Sequence, residues 1–223
     1  MPTYEQLGFA GGAALTGDRA RTVFGQVMGL VAFTLGFAAL GAFVGRNLVG
    51  GTGILFFILV FACVFGLNAA SARGHEQLAM TLLFAMGLLL GLAVAPILDY
   101  YAKTNPGVVY QAAGATALFT GLLGSAGYLT RRDLMPIMRF LMIAFVIVFV
   151  FGLITLFVAV PDSNIIYCVA MLVVFGGFTA FDFQRLSRGR YTSPVPIAAS
   201  IFLDIFNVFL LLLSLFGGGS SRR

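Results

Sequence analysis

The chain has 223 residues, of which 60% are hydrophobic and only 9% are charged, and its formal net charge is +5. About a quarter of the residues of a typical soluble domain are charged, so these charges are too few to cover a water-exposed surface, and a soluble globular protein is excluded. The 13 basic residues are scattered through short loops without a basic stripe. We therefore expect the lipid bilayer, and no nucleic acid, as a partner.

Seven apolar segments are long enough to cross a bilayer as helices. A hydrocarbon core of about 30 Å takes about 20 apolar residues per helix, whereas transmembrane strands would alternate apolar and polar residues. The sequence therefore predicts an all-α fold, a polytopic bundle of seven transmembrane helices in one domain, residues 22–216. The predicted spans are 22–44, 53–70, 78–98, 108–128, 137–158, 164–181 and 197–216, with a short cytoplasmic arm at 1–21 and a flexible tail at 217–223.

The basic residues fall unequally on the two sides of the predicted bundle. Nine would lie on the side of the N-terminus and four on the other side, which includes Arg222 and Arg223 of the tail. Because cytoplasmic loops carry the excess of arginine and lysine, we predict a cytoplasmic N-terminus and, with seven spans, a C-terminus outside. The first residues lack the compact apolar core of a cleaved signal peptide, so we expect 1–21 to be a soluble arm.

Asp204 is the acidic residue that lies deepest within an apolar span. It follows Ile201-Phe202-Leu203 about two turns into the seventh span, and a charge at mid-bilayer costs at least about 2.5 kcal/mol, so such a residue is a candidate for function. Ser200, four residues before it, and Asn207, three after it, share its helix face and form a polar stripe that should point into the bundle. A purely structural role as a hydrogen-bond acceptor remains open for Asp204.

Asp182 ends the sixth span and approaches the same predicted cytoplasmic end of the bundle, because spans six and seven form an antiparallel hairpin. Two carboxylates at hydrogen-bond distance in a medium of low dielectric constant cannot both ionise easily, so the pair would share a proton and exchange it with a cation. A nearby arginine would favour the ionised form, and Arg73 and Arg185 are the candidates. The alternative for Asp182 is an exposed ion pair with Arg185 at the helix end.

Three sequence motifs in the membrane region carry a family resemblance. The first is Ala199-Ser200-Ile201-Phe202-Leu203-Asp204-Ile205-Phe206-Asn207-Val208-Phe209-Leu210, the second is Phe178-Thr179-Ala180-Phe181-Asp182-Phe183-Gln184, and the third is Gly91-Leu92-Ala93-Val94-Ala95-Pro96-Ile97-Leu98. Together they resemble the Bax inhibitor-1 family, also called the TMBIM family, over nearly the whole membrane region. The short loops fit a bacterial inner-membrane member of that family.

This resemblance implies a bundle with the seventh helix at its centre. It also implies a pH-sensitive calcium leak gated by an aspartate pair, which falls on Asp182 and Asp204. An arginine that engages this pair in the bacterial members falls on Arg73, where Gly74 and His75 follow instead of the family's run of basic residues. Calcium would be the transported or bound ion, with Asp182 and Asp204 as its ligands, and no cofactor is expected.

Other functions remain open on the sequence alone. Some family members are described as regulators of other membrane proteins, so the main alternative is a regulatory protein that binds a membrane protease or another membrane partner. A proton-coupled transporter would predict an inverted repeat, and the two halves show no convincing one. We do not expect an enzyme, because the sequence contains no Ser/His/Asp set, no metal-ligand spacing and no phosphate-binding loop.

Overall fold

In the residues that it describes, 17–48, 53–155, 162–189 and 193–218, the computed structural model has seven α-helices. In chain order they are α1 (Gly17–Val44), α2 (Gly53–Ala72), α3 (Glu76–Thr104), α4 (Pro106–Leu129), α5 (Met135–Thr155), α6 (Ser163–Ser187) and α7 (Pro194–Gly218). A short 3-10 turn at Gly45–Asn47 extends α1. All seven helices are long and apolar enough to cross a membrane, which confirms the predicted helical membrane bundle.

Each helix overlaps its predicted span, but several continue further. α3 runs through Pro96 to Thr104, and α6 extends to Ser187. α1 begins at Gly17, within the segment predicted as a soluble arm. The extensions of α3 and α6 contain polar residues, so hydropathy alone did not mark them as helical. Three predicted parts lie outside the described residues, namely 1–16 of the arm, 156–158 of the fifth span and 219–223 of the tail.

Helix α7 lies at the centre of the bundle. It packs against α1, α2, α3, α4 and α6, whereas α5 packs against α6. Half of the membrane-spanning stretch of α7 is buried inside the protein, and none of that of α5 is. The side chains of Ile197, Ile201 and Phe202 on α7 are fully buried. The expectation of a central last helix is therefore confirmed, and α5 lies at the periphery.

The start of α7 is tied to the start of α3. The Ser193 hydroxyl accepts a hydrogen bond from the Val195 N–H at 3.2 Å, which caps the first turn of α7. The same hydroxyl donates to a Glu76 carboxylate oxygen at 2.8 Å. Ser193 is only 3% exposed, so these bonds form inside the protein rather than at its surface. They fix the end of α7 from which the chain enters the bundle.

Helices α1 and α3 approach each other closely through glycines. A β-carbon on Gly91 would overlap the carbonyl oxygen of Ala38, and one on Gly41 would overlap that of Leu88. Small residues allow such backbone contact, which is a main source of helix association in a bilayer, where water does not drive helices together. In contrast, the space around Gly29 of α1 is open, with no atom within 4 Å of a β-carbon placed there.

We expect Gly91→Ala to destabilise the bundle by about 1–3 kcal/mol, because the added methyl group forces α1 and α3 apart. Gly29→Ala is the matched control, since it adds the same methyl group to open space and favours the helix. The measurement is the thermal unfolding midpoint in detergent, which should fall only for Gly91→Ala. Equal midpoints for the two variants would contradict the close contact between α1 and α3.

Candidate functional site

Two aspartates are buried where α6 and α7 pack together. Asp182 of α6 is 6% exposed and Asp204 of α7 is 5% exposed. Because α6 and α7 follow each other as an antiparallel hairpin, both carboxylates lie toward the end of the bundle where α6 ends and α7 begins. They lie close enough for the charge of Asp182 to act on Asp204. The structure thus brings the two predicted acids together.

Hydroxyl groups and one arginine surround the two carboxylates. The Ser200 hydroxyl is within hydrogen-bonding reach of Asp182, and the Thr179 hydroxyl is within reach of Asp204. Nη1 of Arg185 lies 3.2 Å from Oδ1 of Asp182, as an ion pair between residues one turn apart. Within the described part of the chain, no basic side chain lies within 4.0 Å of the Asp204 carboxylate. The negative charge of Asp182 is therefore balanced by Arg185, whereas Asp204 has no cation beside it in the described residues.

The Oδ2 atom of Asp204 is buried without a hydrogen-bond partner among the described residues. The hydroxyls of Ser71 and Thr120 are in the same condition, but a hydroxyl can rotate and donate to a carbonyl of its own helix. An ionised carboxylate can only accept, so Asp204 has no such alternative. Since a buried charge without a partner is strongly unfavourable, this oxygen needs a partner, which a proton, a water molecule or a cation would supply.

The surroundings of the pair provide few ligands for a metal ion. Ca²⁺ takes six to eight oxygen ligands, whereas two hydroxyls and two carboxylates that each bind through one oxygen offer about four. Among the residues that the structure describes, no group of three or more His, Cys, Asp or Glu side chains could hold a metal ion. The donor set fits an ion that binds weakly and keeps much of its water. The role of Asp182 and Asp204 as calcium ligands stays a prediction.

Arg73 lies in the turn between α2 and α3, apart from the aspartate pair. The residue is exposed, and its backbone N–H donates to the Ala70 carbonyl at 3.1 Å. The arginine that pairs with Asp182 is Arg185, which is on the same helix and needs no rearrangement to reach the carboxylate. The structure therefore does not bring Arg73 to the pair, and its gating role stays a prediction.

The two residues of the predicted polar stripe of α7, Ser200 and Asn207, make different contacts. Ser200 faces Asp182 across the helix pair, as described above. Asn207 instead donates from its side-chain amide to the Leu203 carbonyl at 2.7 Å, one turn earlier on its own helix. Asn207 therefore satisfies the backbone of α7 rather than an aspartate, and only Ser200 belongs to the immediate surroundings of the pair.

Thr179 is a site residue that the sequence analysis did not single out. It is 1% exposed, and its hydroxyl lies near Asp204 while donating to the Phe175 carbonyl at 2.8 Å. Thr179 lies three residues before Asp182, which places both on one face of α6. A polar residue one turn from an acid in an apolar span was the signal that could have identified it.

Gln184 anchors the loop between α4 and α5 to the end of α6. Its Oε1 atom accepts the N–H of Leu134 at 2.9 Å, and its Nε2 atom donates to the carbonyl of Arg132 at 2.6 Å. Arg188 adds donations to the carbonyls of Arg131 and Arg132 at 2.9 and 3.0 Å. The aspartate-bearing end of α6 is thereby held to the loop that closes the bundle on this side.

We expect Gln184→Ala to release this loop, because two hydrogen bonds of about 1 kcal/mol each are lost. Limited trypsin digestion in detergent should then cleave after Arg131 and Arg132 up to about thirtyfold faster than in the unaltered protein, since cleavage follows local opening. Gln77→Ala is the control, because Gln77 is exposed at the start of α3. A cleavage rate equal to that of the control would contradict the anchoring role of Gln184.

The fold and the buried acids define a polytopic helical membrane protein with a carboxylate pair in its core. A family model described as "Inhibitor of apoptosis-promoting Bax1" matches residues 20–222. The chain therefore belongs to the Bax inhibitor-1 family, which confirms the resemblance seen in the motifs of α3, α6 and α7.

Relatives from several bacteria cover most of the chain. An uncharacterized protein of Helicobacter pylori is 34% identical over 169 residues, which are 75% of this chain and 73% of the relative. An uncharacterized membrane protein of Vibrio cholerae is 33% identical over 169 residues, 74% of this chain and 70% of the relative. The modulator of FtsH protease YccA of Escherichia coli is 25% identical over 193 residues, 86% of this chain and 87% of the relative.

Proposed function

We propose that this protein is a pH-sensitive leak channel for calcium or similar cations, gated by the Asp182–Asp204 pair. The observation that supports this most strongly is the buried Oδ2 atom of Asp204, which has no hydrogen-bond partner in the described chain and lies close to a second carboxylate. Such an arrangement is costly in a membrane and is the kind of feature that marks ion and proton pathways. We also expect an inner-membrane location with a cytoplasmic N-terminus.

The occupancy of the pair by a proton decides its charge. With one proton bound, the pair carries one negative charge, which Arg185 balances from 3.2 Å. As the pH rises and the proton leaves, a second negative charge is present without a counter-charge, and two like charges repel strongly where the dielectric constant is low. A cation entering between α6 and α7 relieves this repulsion. Proton release therefore favours cation entry, and protonation favours the closed site.

We expect calcium efflux from liposomes to rise between pH 6 and pH 8, by up to about tenfold per pH unit, the limit for release of a single proton. Asp204→Asn should give low efflux at every pH, because the amide keeps the shape of the carboxyl group but cannot ionise.

Asp99→Asn is the control for this experiment. It also removes one carboxylate, but Asp99 lies near the C-terminal end of α3, where it forms an ion pair with Lys103 at 2.6 Å. This variant should keep the pH response of the unaltered protein. Unchanged efflux and pH response in Asp204→Asn would remove the aspartate pair from the mechanism.

A second candidate function is regulation of a membrane protease. The Escherichia coli relative is named a modulator of FtsH protease and aligns with 86% of this chain. Helix α5 offers a surface for such a partner, since none of its described residues is buried and it packs only against α6 in the described part of the chain. Its outward side chains include Phe140 and Ile147, which are 73% and 63% exposed.

Pull-down of an FtsH-type protease in mild detergent tests this second function. We expect recovery of the protease with the full chain, reduced recovery without residues 1–21, and full recovery with Asp204→Asn, because a docking role does not need the acid pair. Recovery no higher than with an unrelated seven-helix membrane protein would contradict the regulatory function.

A further inference from the structure

An apolar groove opens on the side of the bundle between α1 and α4. Its volume is about 910 Å³, and its floor includes Phe206 and Phe209 of α7 and Phe183 of α6. The backbones of α1 and α4 are not in contact in the described residues, and the two helices meet across the groove through the rings of Phe24 and Tyr128, whose centroids are 5.5 Å apart. Phe183 directly follows Asp182, so anything in the groove packs against the segment of α6 that carries the acid pair.

The dimensions of the groove fit a hydrocarbon chain better than a helix. Its lining extends along α4 from Ala113 to Leu129, which is about 24 Å at 1.5 Å per residue. A volume of about 910 Å³ over that length gives a mean cross-section of about 40 Å². A helix with side chains is about 10–12 Å across and needs about twice that area. An extended chain of carbon atoms, which contact others at about 4 Å, fits within it.

Two arginines, Arg131 and Arg132, come shortly after the last groove-lining residue of α4 in the chain. Leu129 lines the groove at the end of α4, and the exposed residues Arg131 and Arg132 come two and three positions later. Arg188 binds both of their backbone carbonyls, and it also pairs with Asp133 at 3.4 Å. The backbone of this loop is therefore held in place independently of the Arg131 and Arg132 side chains. The groove ends beside positive charge on the side predicted to be cytoplasmic.

We propose that this groove is a binding site for an anionic phospholipid, with an acyl chain along α4 and the phosphate group at Arg131 and Arg132. The lining is almost entirely apolar, as in sites for lipid-like molecules of this volume. Guanidinium groups bind phosphate oxygens in a bidentate manner, and basic clusters beside transmembrane helices attract anionic lipids. The charge and shape of the two parts of the site thus match the two parts of one lipid.

Two pairs of variants separate the tail site from the head-group site. Gly121→Leu fills the groove, because Gly121 lines it and a β-carbon there meets no atom within 4 Å, so the fold is preserved. Gly114→Leu is its control, because Gly114 has the same open space on the same helix but lies outside the lining.

The double variant Arg131→Gln, Arg132→Gln removes the positive charges proposed to bind the phosphate group, while it keeps the backbone hydrogen bonds of the loop. The double variant Arg46→Gln, Arg139→Gln removes the same charge elsewhere.

The experiment is native mass spectrometry of the purified full chain, titrated with dioleoyl-phosphatidylglycerol or dioleoyl-phosphatidylcholine. We expect phosphatidylglycerol to be retained in preference to phosphatidylcholine, and Gly121→Leu to reduce the retention of both lipids. The Arg131→Gln, Arg132→Gln variant should lose roughly tenfold in affinity for phosphatidylglycerol alone. Both control variants should behave as the unaltered protein.

Three results would overturn the proposal. One is equal retention of the two lipids by the unaltered protein, and another is unchanged lipid retention in Gly121→Leu. The third is loss of a dimer in Gly121→Leu with lipid retention unaffected, since a second copy of the chain would then be the occupant of the groove. Each result is independent of calcium flux, so it leaves the proposed channel function untouched.

Discussion

Two carboxylates buried where the bilayer excludes water are the constraint on which the rest of this structure depends. Asp182 has Arg185 as its counter-ion, and Asp204 has none in the described chain. The hydroxyls of Thr179 and Ser200 lie near the carboxylates, but each also has a carbonyl of its own helix to donate to, so they offset at most part of the cost of burial. A membrane protein retains such a pair when the cost serves a purpose, because apolar residues in the same places would pack without it. Under the proposed function, the pair is a place where a proton and a cation compete.

The architecture keeps this pair buried. Asp204 lies on the central helix α7, which packs against α1, α2, α3, α4 and α6. Polar contacts at the bundle end then fix the hairpin, with Ser193 holding the start of α7 and Gln184 holding the end of α6. Helix α5 lies at the periphery of this framework and packs against α6, whereas the groove beside α4 has Phe183, Phe206 and Phe209 of the α6–α7 hairpin in its floor.

Hydropathy was sufficient to predict the seven helices, because a bilayer of fixed thickness demands long apolar segments. It did not predict that α3 continues to Thr104, since helix ends beyond the hydrocarbon core carry no such signal. The depth of Asp204 was readable because apolar residues flank it on both sides. The burial of Asp182 was not, because it ends an apolar run and is covered only when α6 packs against its neighbours. For the same reason, sequence could not decide that Arg185 rather than Arg73 meets the pair.

The central claim of the proposed function is that Asp182 and Asp204 share a proton. Infrared difference spectroscopy of the protein in lipid, titrated through neutral pH, observes the C=O stretch of a protonated carboxylic acid directly. We expect a carboxylic-acid band that is present in mildly acidic solution and disappears as the pH rises, that is missing in Asp204→Asn, where Arg185 balances the remaining carboxylate, and that changes its pH dependence in Asp182→Asn. A titrating band that persists unchanged in both variants, or no band at any pH in this range, would contradict it.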